Sequence, residues 1–120
     1  MARDIVSSDN IDLESSGRRD YWVALGHTSV WSSHLIPLTV IVGPQARTGQ
    51  GLVAFGGNHG NEYEGQVIAG RLIRELDPDR VEGRIIIMPA LNYLAVQEDQ
   101  RVSDVDGENM NRIYPGDPDG

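Results

Sequence analysis

The stretch Gly56-Gly57-Asn58-His59-Gly60-Asn61-Glu62-Tyr63-Glu64-Gly65 lies between a short apolar run, residues 52–55, and an amphipathic pattern over residues 62–77. An apolar run that stops at glycines and resumes with three- and four-residue spacing predicts a strand, a tight turn and a helix. His59 and Glu62 then stand at the mouth of that turn, as an imidazole and a carboxylate three residues apart. Such a pair suits Zn²⁺, yet a catalytic zinc takes three protein ligands. On spacing alone, a surface histidine beside a helix-capping glutamate is the better explanation of the two residues.

The flanks extend the pattern. Val67, Ile68, Leu72, Ile73 and Leu76 make one apolar stripe on the predicted helix, with Glu64, Arg71, Arg74 and Glu75 elsewhere. Pro78 ends the helix. Residues 79–83 form a turn, and residues 84–88 (Arg-Ile-Ile-Ile-Met) read as a second strand closed by Pro89. Continuous apolar runs at 52–55 and 84–88 predict parallel strands covered on both faces. Strand, helix and strand make a βαβ unit, and the fold class is α/β.

Residues 1–20 are polar and turn-rich, which predicts a loosely held lead-in. Tyr21, Val23 and Leu25 then alternate with Trp22, Ala24 and Gly26, the period of a strand. Residues 35–42 repeat the pattern, and Pro37 puts that strand at an edge or marks its beginning. Trp22 and Trp31 read as packing residues, and His27 and His34 lack a partner at ligand spacing. The expected organisation is a lead-in with a first strand, residues 1–30, followed by a catalytic part, residues 31–120.

Composition narrows the function. No segment is apolar enough to span a bilayer, and the start carries no apolar leader core, so a soluble, cytoplasmic protein is expected, with no membrane partner. Without cysteine, any metal must be held by imidazole and carboxylate. A net charge of −8 argues against nucleic acid. Homo-oligomer formation is left open.

In open α/β sheets the ligand site lies beyond the carboxyl ends of the parallel strands. The first strand empties into His59 and Glu62, the second into Asn92 and the irregular segment that follows. That topology brings His59, Glu62, Arg101, Asn111 and Arg112 to one rim. A zinc site with an open position activates water. One guanidinium can stabilise an oxyanion, and another beside an asparagine can clamp a carboxylate. Arg101 and Arg112 also sit among Glu98, Asp99, Asp104, Asp106, Glu108 and Asp117, where solvated ion pairs would explain them. Asn109 and Asn111 would serve as turn residues, and Gly107 and Gly116 as positive-φ positions.

Taken together, Gly57 to Gly65, Pro89-Ala90-Leu91-Asn92, Arg101, Asp106-Gly107-Glu108-Asn109-Met110-Asn111-Arg112 and Tyr114-Pro115-Gly116 resemble the succinylglutamate desuccinylase and aspartoacylase family. These are zinc amidohydrolases related to the carboxypeptidase A type metallopeptidases. The match runs from about Trp31 to the last residue and is most similar to the N-acetyl-diaminobutyrate deacetylase branch of ectoine breakdown. The resemblance implies the N-terminal part of a zinc carboxypeptidase-like mixed sheet with flanking helices. It implies Zn²⁺ as cofactor, with His59 and Glu62 as two metal ligands. It implies further that Arg101 polarises the scissile carbonyl and that Asn111 and Arg112 bind the carboxylate of a small N-acyl amino acid. Tyr114 stands where the family more often has phenylalanine. The family's third ligand, a histidine, and its general-base glutamate match nothing here, so a truncated chain with weak zinc binding and no turnover is expected. The expected activity is removal of an acyl, foremost an acetyl, group. Aspartoacylase or succinylglutamate desuccinylase activity, a metallocarboxypeptidase and a non-catalytic binding fragment are the alternatives.

Overall fold

The computed structural model describes residues 3–29 and 32–116, with side chains described except at 27–29 and 32. The expectations for Trp31, for the His27 side chain and for residues 117–120 lie outside the described residues. Five strands, β1 (Asp4–Ser7), β2 (Gly17–Ser29), β3 (Ser32–Val42), β4 (Gly51–Phe55) and β5 (Arg84–Met88), form one sheet in the order β1-β2-β3-β5-β4. Its ladders are mixed: β1 with β2 and β4 with β5 run parallel, whereas β3 is antiparallel to both β2 and β5. The helices are α1 (Tyr63–Glu75), α2 (Tyr93–Gln97) and α3 (Met110–Ile113). The α/β class, the mixed sheet with flanking helices and the strand-helix-strand unit β4-α1-β5 are as the sequence predicts.

Strand alternation sorts the core onto two faces. Tyr21, Val23, Leu38, Val40 and Val42 form one buried cluster, with Val6, Ile11 and Leu13 packed against it. On the opposite face Ile41 and Ile87 meet Ala69 and Ile73 of α1, with Leu76, Val81 and Ile85 around them. Arg18 ties α1 to the sheet, donating through Nη1 to the Ile73 carbonyl at 2.6 Å and pairing with Asp20, which also accepts from Thr39 Oγ1 at 2.6 Å. Trp22 does pack, its ring 5.5 Å from that of Tyr93.

Four expectations need correction. Residues 3–20, the described part of the expected lead-in, are not loosely held, because Asp4–Ser7 is held in register by Tyr21 to Ala24 of β2, which itself starts at Gly17. Pro37 lies mid-strand in β3, which has neighbours on both sides. Its ladder with β5 covers only Thr39 to Val42, however, so Pro37 bonds a single neighbour and its missing N–H costs no central pairing. The β4 strand is not covered on both faces: Leu52, Val53 and Phe55 are each more than half exposed, since β4 is the sheet's last strand and pairs with β5 alone. Finally, α1 faces the sheet through Ala69 and Ile73, while Val67, Ile68 and Leu72 point outward. Small Ala69 admits the helix close to Ile41 and Ile87, and the bulkier stripe is left on the far side.

Candidate functional site

Two loops at the carboxyl ends of β4 and β5 are zipped together by backbone hydrogen bonds. The Gly56 N–H donates to the Met88 carbonyl, and the N–H groups of Leu91 and Asn92 donate to the carbonyls of Gly56 and Gly57, all at 2.9 Å. The shared rim follows from these three bonds. The first loop also docks on α2 by way of Gly60: a Cβ built there would lie 2.1 Å from the Ala95 carbonyl and 2.5 Å from the Gln100 carbonyl.

That docking buries His59, which is 4% exposed and held through both ring nitrogens. Nδ1 lies 3.0 Å from Glu62 Oε1, and Nε2 lies 3.0 Å from Asn109 Oδ1. Glu62 occupies the N-cap position of α1 but makes no side-chain cap hydrogen bond. Its carboxylate is instead shared between His59 and Arg101, whose Nη1 also reaches Oε1 at 3.0 Å. The helix-capping explanation of Glu62 therefore fails. The hydrogen bond with His59 and, secondarily, the Arg101 guanidinium hold the Glu62 carboxyl below the usual carboxylate range.

Asn109 caps α3, its Oδ1 accepting from the Asn111 N–H at 3.0 Å, and that donor fixes which amide atom is the oxygen. Both ring nitrogens of His59 thus face oxygen acceptors, whereas a neutral imidazole carries one N–H. A cation at Nδ1 resolves the mismatch, either a second proton or a metal. The geometry fits a metal. Two donors 3.0 Å apart are close to the roughly 3.3 Å edge that nitrogen and oxygen ligands span on a zinc tetrahedron with bonds near 2.0–2.2 Å. An Nε2–H donated to Asn109 would leave Nδ1 unprotonated for that metal, as an outer hydrogen bond to a ligating histidine does. Among the described residues no group of three or more His, Asp or Glu side chains gathers to hold a metal.

Asn111 enters the same constellation by a different route, its Oδ1 accepting from Asn58 Nδ2 at 2.9 Å. With that oxygen occupied, the Asn111 amide NH₂ is the group left for a ligand. Arg112, next on α3, is exposed and has no ion-pair partner among the described residues. The structure therefore gathers His59, Glu62, Arg101 and Asn111 and sets Arg112 beside them. His34 lies apart, lining an apolar cavity of about 290 Å³ beneath α3 to which His59, Glu62 and Arg101 contribute nothing.

Sequence reasoning missed Asn58, Asn109, Tyr63 and Asp99. The Asn109-x-Asn111 spacing ahead of a short helix carries an N-cap signal; for the others no local signal exists. Tyr63 donates its hydroxyl to the Asp99 carboxylate, which pushes the phenol above its ordinary range. Gly107 and Gly116 do adopt positive φ, at 68° and 93°.

The succinylglutamate desuccinylase/aspartoacylase catalytic domain family model matches residues 48–120. The chain is 39% identical over 118 residues to the N-alpha-acetyl-L-2,4-diaminobutyric acid deacetylase of Halomonas elongata, covering 94% of this chain and 33% of that protein. The product-bound ectoine utilization protein EutE (DoeB) of Ruegeria pomeroyi superposes with a TM-score of 0.83 at 40% identity, over 92% of this chain and 34% of that one. A succinylglutamate desuccinylase/aspartoacylase of Rhodobacter sphaeroides gives 0.82 at 38% identity, again over 92% and 34%. The chain spans about a third of the length of these relatives. It belongs to the succinylglutamate desuccinylase/aspartoacylase family.

Proposed function

We propose that this chain carries two zinc ligands and the substrate-carboxylate clamp of an N-acyl amino acid deacylase that removes an acetyl group, with N-acetyl-diaminobutyrate as the leading substrate. The observation that carries the reading is the His59 ring, buried and flanked by acceptors on both sides, one of them a carboxylate at ligand distance. The name of the Halomonas elongata relative supports the substrate.

In this reading His59 and Glu62 would hold the zinc, and Asn109 orients the imidazole. The metal, when bound, supplies Lewis acidity that polarises the acyl carbonyl and activates water near neutral pH. Arg101 stands beside Glu62 and stabilises the oxyanion that develops on the acyl oxygen. Asn111, its carbonyl oxygen fixed by Asn58, turns its NH₂ to the substrate α-carboxylate, and the Arg112 guanidinium takes the same group in a planar two-pronged contact. Both contacts are charge-assisted, so they set where the acyl carbon lies relative to the zinc ligands.

Arg112→Ala in the complete protein is expected to raise KM for N-acetyl-diaminobutyrate and to lower kcat/KM by roughly 10²-fold, about the 2.7 kcal/mol within reach of a hydrogen-bonded charge. Steady-state kinetics on that substrate, with a blocked dipeptide in parallel, checks it. An unchanged KM and kcat/KM would remove Arg112 from the clamp, and preference for the dipeptide would favour a carboxypeptidase.

A further inference from the structure

We propose that Tyr63 and Asp99 form a tether that holds Arg101 at the site independently of the Glu62 carboxylate, making both positioning residues for the reaction. The inference rests on the role given above to Arg101. It starts from a conflict at one atom, since Glu62 Oε1 accepts from Arg101 Nη1 and also faces His59 Nδ1, each at 3.0 Å. A metal held by His59 and Glu62 would compete for the carboxylate that aims the guanidinium. Arg101 is half exposed, and an exposed ion pair orients a long side chain weakly. Something else must keep it in place.

The backbone two residues earlier supplies it. Asp99 is the one non-glycine residue with positive φ among the described residues, at 54°. It ends α2 with the Asp99 N–H donating to the Val96 carbonyl at 3.3 Å and the Gln100 N–H to the Ala95 carbonyl at 3.0 Å. Such a left-handed helix end is ordinarily glycine or asparagine. What aspartate adds is a carboxylate, and that carboxylate accepts the Tyr63 hydroxyl. The N-cap of α1 and the residue after it thus grip the loop at two points: Glu62 holds Arg101, and Tyr63 holds Asp99. When the first grip yields to the metal, the second still fixes the direction in which the chain leaves α2, and with it the reach of Arg101.

The test uses the complete, zinc-loaded protein with Tyr63→Phe, Asp99→Asn, Asp99→Gly and the double variant Tyr63→Phe/Asp99→Gly. Tyr63→Phe is expected to lower kcat roughly 10-fold, short of the 10²–10³ that outright loss of an oxyanion donor costs, with KM and zinc content unchanged. Asp99→Asn keeps an acceptor oxygen and tolerates the left-handed region, and should retain most activity. Asp99→Gly relieves the backbone but removes the acceptor, and should match Tyr63→Phe. The double variant should be no worse than either, as expected for two halves of one contact. Amide hydrogen exchange at residues 99–101 should quicken in Tyr63→Phe and Asp99→Gly whether or not any substrate is turned over. Quickened exchange in a protein that does not hydrolyse N-acetyl-diaminobutyrate would support the tether and overturn the proposed activity. Asp99→Gly behaving as the parent in both exchange and kcat would overturn the tether.

Discussion

His59→Ala in the complete protein is expected to weaken zinc binding by well over 100-fold and to abolish turnover with it. The scale is set by the neighbouring side chain: Asn109→Ala, which removes the outer hydrogen bond and leaves both donors, should cost roughly 10–100-fold. The ordering follows from what each variant leaves behind. Without His59 this chain contributes a single half-exposed carboxylate, already drawn towards Arg101, to a site that takes three protein ligands. Without Asn109 both donors remain, the imidazole and the Glu62 carboxylate 3.0 Å from it, but the ring is free to choose either tautomer. Glu62→Gln should fall with His59→Ala rather than with Asn109→Ala, because the amide preserves shape and loses the charge that the metal requires. Competition against a chromophoric chelator ranks the three variants. Circular dichroism confirms that His59→Ala, which empties a buried position, remains folded. Equal zinc affinity for His59→Ala and the parent would sink the two-ligand reading.

How much of this was legible in the sequence depends on how local the cause was. The change from a continuous apolar run at residues 52–55 to three- and four-residue spacing up to residue 76 is a local signal, and it located β4, α1 and the turn that carries His59 and Glu62. The parallel pairing of β4 with β5 then put Asn92 and the segment to Arg112 on the same rim without knowledge of a single side-chain contact. What failed was decided at a distance. Asp4–Ser7 has no strand signature of its own and is ordered by its ladder with β2. The outward stripe of α1, Val67, Ile68 and Leu72, is as apolar as the inward one; only the fit of Ala69 against Ile41 and Ile87 chooses between them. At the site the same rule holds. The sequence leaves Glu62 between cap and ligand; the structure removes the side-chain cap and commits the carboxylate to His59 and Arg101. Asn109 read as a turn residue and is one, but its oxygen serves the α3 cap and the His59 ring at once, a coincidence of two elements fifty residues apart in the chain.

Gly60→Ala is expected to destabilise the protein by on the order of 3 kcal/mol and to weaken zinc binding, although the side chain it adds is a single methyl group. The new Cβ would sit 2.1 Å from the Ala95 carbonyl and 2.5 Å from that of Gln100. Both obstacles are backbone, so no rotamer change relieves them, and either the turn lifts off α2 or α2 moves. The lifted turn would carry His59 and Glu62 with it, and would strain the bonds by which Gln66 Nε2 holds the Gly60 and Glu62 carbonyls at 2.9 and 3.1 Å. Two other glycines separate this effect from loss of glycine as such. Gly107→Ala meets nothing within 4 Å but keeps φ at 68°, a left-handed conformation that costs an L-residue about 1–2 kcal/mol. Gly26→Ala meets nothing within 4 Å at an ordinary φ and should stay within about 0.5 kcal/mol of the parent. Urea unfolding of the three variants, each with and without zinc, reads both consequences. The decisive comparison is the zinc-dependent increment in stability: it should shrink in Gly60→Ala and stay intact in Gly26→Ala. An undiminished increment in Gly60→Ala would mean that His59 holds its place without the turn's seat on α2, and that the bonds from Asn109 and Glu62 suffice to orient the ring.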